Sequence, residues 1–161
     1  MLNKIPMCYT LRRKDKDKLN INKKQESTKF LLKKDLEEND FDFVNMLGWP
    51  HYPNYCYATI IDNKIVSCAS AGYNANKIND KIVDITVRTH EDYRKKGYSV
   101  SNTVALCEYI LSMQEEKEIQ YITDTKNIAS QKNALSAGLI KVRYSYFLFR
   151  RLINKFIKRI L

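Results

Sequence analysis

The sequence predicts a mixed α/β fold, a central sheet with helices packed on it, and three features predict it. Two strand-like runs, Tyr55–Ile61 and Lys64–Ala71, flank Asp62-Asn63, a dipeptide that tolerates the positive φ of a tight hairpin. A third strand-like run, 83–89, enters a charged loop and then a helical stripe. Strand and helix patterns alternate after that, and hairpins mixed with strand–helix–strand units point to a mixed sheet.

Taken in chain order, residues 12–24 (RRKDKDKLNINKK) are charge-dense and nearly free of apolar side chains, which reads as a loop or mobile arm. Phe30, Leu31 and Leu32 form a short apolar run, a first strand. Phe41, Val44 and Leu47 recur at three-residue spacing, which fits a short helix over 40–47 that Gly48, Trp49, Pro50 and Pro53 break. After the hairpin, 77–81 is a polar turn. In 83–89, Val83, Ile85 and Val87 fall on one strand face and Asp84, Thr86 and Arg88 on the other. A helix is expected to begin near Gly97, because Val100, Val104, Cys107 and Leu111 make one apolar stripe. Residues 120–123 read as a short strand. Ser130 is the expected cap of a helix that ends at Gly138, a residue suited to the left-handed position after a helix. Residues 141–149 resemble a late strand. From 149 to 161 Phe149, Leu152, Ile153, Phe156, Ile157 and Ile160 form the apolar stripe of a basic amphipathic helix.

Composition narrows the function classes. A chain of 161 residues with 44% hydrophobic and 29% charged content is sized for one domain with its own core. No early apolar run follows a basic start, so no secretory signal is expected, and no apolar stretch approaches the roughly 18 residues of a membrane span. Cys8, Cys56, Cys68 and Cys107 form no CxxC pair, and with His51 and His90 they complete no zinc spacing, so reduced thiols, no metal and a cytoplasmic location are expected. The net charge of +10 is uneven: residues 1–34 hold eleven basic and three acidic side chains, residues 141–161 seven basic and none acidic, and the middle is mildly acidic. That pattern argues against one uniform nucleic-acid surface, although basic ends suit phosphates or anionic lipid.

The segment 83–99 (VDITVRTHEDYRKKGYS) carries the chemistry. A strand runs through a loop into Arg94, Lys95, Lys96, Gly97, Tyr98 and Ser99 and then a helix. A helix N-terminus offers unpaired N–H groups and a positive dipole end, a glycine lets the backbone approach a ligand closely, and three cations add attraction for a pyrophosphate. On this feature alone, a solvated basic loop and an anion site both fit.

The order of features along the chain resembles the GNAT acetyltransferases. YRKKGYS resembles their acetyl-CoA signature R/Q-x-x-G-x-G/A, which the family places after its fourth strand and at the start of its third helix. Downstream, Asp124, Asn127, Ser130, Ala134, Gly138 and Leu139 resemble the family ending D-x-x-N-x-x-S-x-x-x-A-x-x-x-G-F, and the hairpin resembles the family's second and third strands. The resemblance covers roughly residues 30–147. It implies a GNAT-type acyl-CoA N-acyltransferase fold, with acetyl-CoA as co-substrate and an amine as acceptor. Together with the charge and stripe patterns of the two ends, it divides the chain into a basic arm over 1–28, an acetyltransferase-like domain over 29–147 and a basic amphipathic helix over 148–161. It also implies that 94–99 hold the pyrophosphate, that Val87, Arg88 and Thr89 pair with the pantetheine arm as an added strand, that a strand N–H polarises the thioester carbonyl, and that Asn127, with Ser130, reaches toward the pantetheine. The amine attacks directly, without a covalent enzyme intermediate.

Two departures from the family pattern bear on catalysis. Ala134 stands where many members carry the tyrosine that protonates the departing thiolate, which leaves Tyr144 and Tyr146, on the following strand, as candidate acids or as packing residues. Asp84 matches a position where related proteins often carry an acid, so it is the candidate base, with His90 and Glu91 behind it; an ordinary surface or ion-paired Asp is the other reading. Residues 49–55 and 73–80 are the variable loops expected to face the acceptor. The C-terminal helix either packs on its own sheet, forms a homodimer interface, or lies on an anionic membrane. The competing function is a GNAT-like binding module, weak or inactive in catalysis, whose basic ends dock on nucleic acid or membrane.

Overall fold

The computed structural model describes residues 6–38, 55–71, 82–113 and 117–142. In chain order these form β1 (Pro6–Arg12), two short 3-10 turns (Arg13–Lys18 and Ile21–Lys23), β2 (Thr28–Leu32), α1 (Lys33–Glu38), β3 (Tyr55–Ile61), β4 (Lys64–Ala71), β5 (Ile82–Thr89), a 3-10 turn (Glu91–Tyr93), α2 (Tyr98–Ser112), β6 (Glu118–Asp124), α3 (Ile128–Ala137) and β7 (Ile140–Val142). The described strands make one seven-stranded sheet in the order β2-β3-β4-β5-β6-β1-β7. Only the β5–β6 pair is parallel; the other ladders are antiparallel.

Local chemistry accounts for these elements. The Asp62-Asn63 hairpin forms as expected, with φ of +49° and +58° at the two turn residues. β4 is buried from Ile65 to Ala71, as a central strand covered on both faces requires. On one face, Val83 and Ile85 of β5 and Tyr9 and Leu11 of β1 pack on Val104, Leu106, Cys107, Ile110 and Leu111 of α2 and Ala134 and Ala137 of α3. On the other, Leu36 of α1 packs on Cys56, Ala58, Ile65 and Cys68.

Residues 6–24 differ from the expected arm. Pro6–Arg12 is a strand inside the sheet, held by β6 on one side and β7 on the other. Met7, Tyr9 and Leu11 alternate with Cys8 and Thr10, and the burial of Tyr9 and Leu11 against α2 and α3 outweighs the charge that follows. The charged stretch beyond it is also tied down. The guanidinium of Arg13 donates to the carbonyls of Leu111 and Met113, and Lys24 pairs with Glu108 at 2.6 Å. The backbone N–H of Gln25 donates to Ser101 Oγ (2.7 Å) and Thr28 Oγ1 to Asn102 Oδ1 (3.1 Å), which clamps this segment on the first turns of α2. The expected helix over 40–47, the acceptor loops over 49–54 and 73–80, Tyr144, Tyr146 and the C-terminal helix lie outside the described residues.

Candidate functional site

β5 and β6 are hydrogen-bonded over three rungs only, Ile82↔Glu118, Val83↔Ile119 and Asp84↔Gln120. Both strands then run on, to Thr89 and Asp124, without pairing to each other. A parallel pair that parts while still extended leaves main-chain donors and acceptors along the inner edge of β5 with no strand beside them among the described residues, the edge to which an extended ligand adds as a strand.

The N-terminus of α2 stands at the open end of this gap. The backbone turns there through two left-handed positions, Lys95 (φ +64°) and Gly97 (φ +82°). The first bond closing the helix runs from the N–H of Ser101 to the carbonyl of Gly97 at 3.0 Å, so the N–H groups of Tyr98, Ser99 and Val100 precede the ladder. A side chain at Gly97 would bring its Cβ to 2.9 Å from Gln25 Nε2, besides the strain of that φ. Arg94, Lys95 and Lys96 are exposed around it, and the Lys96 ammonium lies 4.9 Å from the centre of the Tyr93 ring.

The gap opens into a cleft of about 1100 Å³. Its walls include every residue expected to hold the cofactor: Val87, Arg88 and Thr89 from β5, Arg94, Lys95, Lys96, Gly97, Tyr98 and Ser99 from the loop and helix start, and Asn127 and Ser130 from α3. The exact roles at the head of α3 differ from expectation. Asn127, rather than Ser130, is the cap: its Oδ1 accepts from the Ser130 N–H at 3.1 Å. The Ser130 hydroxyl is thereby left to meet the Tyr121 hydroxyl at 2.7 Å. Gly138 ends α3 at φ +98°, as expected.

The candidate bases divide. His90 and Glu91 line the cleft, but His90 Nδ1 accepts from the Asp92 N–H and caps the short turn that follows. Asp84 does not line the cleft. It occupies the last paired rung, on the strand face away from Val83 and Ile85, and its charge helps to push the Cys8 thiol up to about 12, after burial and ahead of Glu118. The thiols of Cys68 and Cys107 are raised too, chiefly by burial, and all four cysteines are buried and free, so no activated thiolate is present among them.

Two groups in the cleft wall carry no sequence signal of their own. Tyr121 is 5% exposed, and burial pushes its phenol above the ordinary value, against the pull of Ser130 and Asn133. Asn133 is 6% exposed; its amide donates to Thr103 Oγ1 (3.0 Å), while its Oδ1 is buried with no hydrogen-bond partner among the described residues. An unanswered buried acceptor in a cleft wall suits an amide N–H of a ligand. The open strand edge, the helix start with its glycine, and this acceptor together fit an extended, amide-bearing, phosphate-ended molecule.

No protein-family model matches the chain, and no curated protein does. Solved structures do match. An acetyltransferase from the GNAT family of Colwellia psychrerythraea aligns over 87% of the chain with a TM-score of 0.63 and 13% identity. A GCN5-related N-acetyltransferase-like protein from Streptococcus suis aligns over 86% with a TM-score of 0.54 and 17% identity. A GCN5-related N-acetyltransferase from Kribbella flavida aligns over 83% with a TM-score of 0.54 and 12% identity. The chain spans 53% to 58% of the length of these three structures. Among the described residues, no helix is long and apolar enough to cross a membrane. With its seven-stranded mixed sheet, its parted parallel pair and these neighbours, the chain has the fold of the GNAT acyl-CoA N-acyltransferases.

Proposed function

We propose that the cleft binds acetyl-CoA and that the protein transfers the acetyl group to an amine by direct attack. The observation that carries this reading is the parting of β5 and β6 beside a helix start headed by Gly97. One end of the gap takes phosphate and the other takes an extended arm with amide groups, and the thioester comes to the rung where the strands separate. There the strand N–H groups polarise the carbonyl as the amine adds. Asp84, on the same rung but facing the opposite side of the sheet, is the group we assign to take the ammonium proton of an acceptor arriving from that side.

Isothermal titration with acetyl-CoA tests the reading, with Gly97→Glu alongside. Wild-type protein should bind in the micromolar range, and the variant should lose at least about tenfold, because it adds a side chain and a negative charge where the phosphates sit. Absence of binding by a folded wild-type protein overturns the proposal.

A further inference from the structure

Resting on that reading of the cleft, we infer that Tyr121 donates the proton to the departing CoA thiolate and that Ser130 is the positioning residue that holds its hydroxyl. Tyr121 follows Gln120, the last β6 residue paired with β5, so its place is the apex of the gap. From Thr89 to Ile85 the open strand edge runs five residues, which is four steps or about 13 Å at the usual rise. An arm anchored by phosphates at Gly97 and laid along that edge brings its far end, the sulfur, to the apex. Tyr93 and Tyr98 also line the cleft, but they belong to the phosphate end. Tyr9, the other buried tyrosine of the core, meets Gln131 at 3.5 Å and is not in the cleft wall. Ala134 is fully buried and has no proton to give.

The Tyr121 hydroxyl is also fixed. It meets Ser130 Oγ at 2.7 Å, next to the Asn133 amide, and Asn133 is anchored through Thr103 Oγ1 to the Ser99 carbonyl by bonds of 3.0 and 2.7 Å. The phenol therefore belongs to a network that ends in the phosphate-binding turn, and its burial keeps it protonated past the ordinary value. In the reaction the amine nitrogen forms a bond to the thioester carbonyl carbon and the C–S bond breaks, with its electron pair going to sulfur. The Tyr121 O–H passes its proton to that sulfur. The tyrosinate regains a proton through the Ser130 hydroxyl from solvent, and Asp84 passes to solvent the one it takes from the ammonium. No oxidant or further reactant is required.

The test is the ionisation of the thiol of bound CoA, read by the ultraviolet absorbance of the thiolate across pH, with desulfo-CoA binding as the reference. A hydrogen bond to the thiolate favours the charged form, so the thiol bound to wild type should be about tenfold more acidic than in Tyr121→Phe. Desulfo-CoA should bind both proteins within about threefold. Ser130→Ala, which keeps the backbone cap at Asn127, should shift the thiol in the same direction by less, and it decides the matter if Tyr121→Phe fails to fold. With any amine that is turned over, Tyr121→Phe should lower kcat by about a hundredfold or more with little change in KM. If CoA binds but its thiol ionises alike in wild type and the variants, the role of Tyr121 is overturned and the acetyl-CoA reading stands. If neither CoA nor desulfo-CoA binds wild type, both are overturned.

Discussion

Gly138→Ala should be the most destabilising single-methyl change in the described part of the chain. A Cβ there would stand 2.0 Å from the Lys18 carbonyl oxygen, 2.8 Å from its carbon and 2.9 Å from Leu19 Cα, all of them backbone. Non-bonded heavy atoms settle at about 3.5 Å or more, so the 18–20 backbone has to retreat by over an ångström. Holding a residue with a Cβ at φ +98° costs about 1–2 kcal/mol. The retreat breaks the bond from the Asn20 N–H to the Ala137 carbonyl (3.1 Å) and strains the one from Asn20 Nδ2 to the Ser136 carbonyl (3.4 Å), about 1 kcal/mol or less each. Leu19, 4% exposed, loses part of its burial, about another 1 kcal/mol. The total is about 3–5 kcal/mol against a usual stability of about 5–15. In a thermal melt followed by circular dichroism that is a fall of about 6–20 °C. Gly97→Ala is the comparison. Its Cβ meets only the end of the flexible Gln25 side chain, at 2.9 Å, so the left-handed backbone is the main cost and Tm should fall by about 3–6 °C. A fall below about 3 °C for Gly138→Ala, or equal falls for the two variants, would refute the reasoning.

Three further outcomes are expected. Asn127→Ala removes the α3 cap and should cost about 1 kcal/mol, seen as a Tm lower by about 2–4 °C. Replacing Lys95 and Lys96 with Gln should weaken acetyl-CoA binding by about 3–10-fold at low salt, and the difference should shrink toward 1 M salt, where the screening length is about 3 Å; an unchanged difference would mean that these cations do not face the phosphates. The Cys8 thiol, raised in the fold from 9.0 to about 12, stabilises the native state while protonated. That contribution is fully present below pH 9.0 and is lost as pH climbs toward about 12, so urea midpoints should hold up to about pH 9 and fall progressively above it, and native protein should react slowly with thiol reagents.

What the sequence made legible follows the range of the forces involved. The β3–β4 hairpin is written in two adjacent turn residues, and the start of α2 in a glycine beside an apolar stripe, so both were readable locally. The residues expected to hold a cofactor lie mostly on one turn and one cap, and the fold brings them to a single cleft. β1 was not readable: five alternating residues precede a run of charge, and the partner that gives them meaning, Glu118 for Arg12, is 106 positions away. Ser130 reads as a cap by residue type, but Asn127, three residues earlier, suits that position equally well and takes it. Tyr121 gave no signal, since a tyrosine in a strand is ordinary; only the end of the β5–β6 ladder and the nearness of Ser130 distinguish it.

The placement of β1 also sets an order of assembly. β2 to β5 are joined as antiparallel neighbours and can pair soon after each is made, whereas β6 and β7 are not neighbours in the sheet and each pairs with β1, which lies between them. An early segment must therefore wait for two late ones and slide between them as the sheet's closing member. Contacts that span over a hundred residues carry a large loop-closure entropy and slow the search. The strand that completes the sheet is thus the one whose pairing should limit the folding rate, and a ribosome that has not yet released β6 and β7 holds a meander with its closing strand still unpaired.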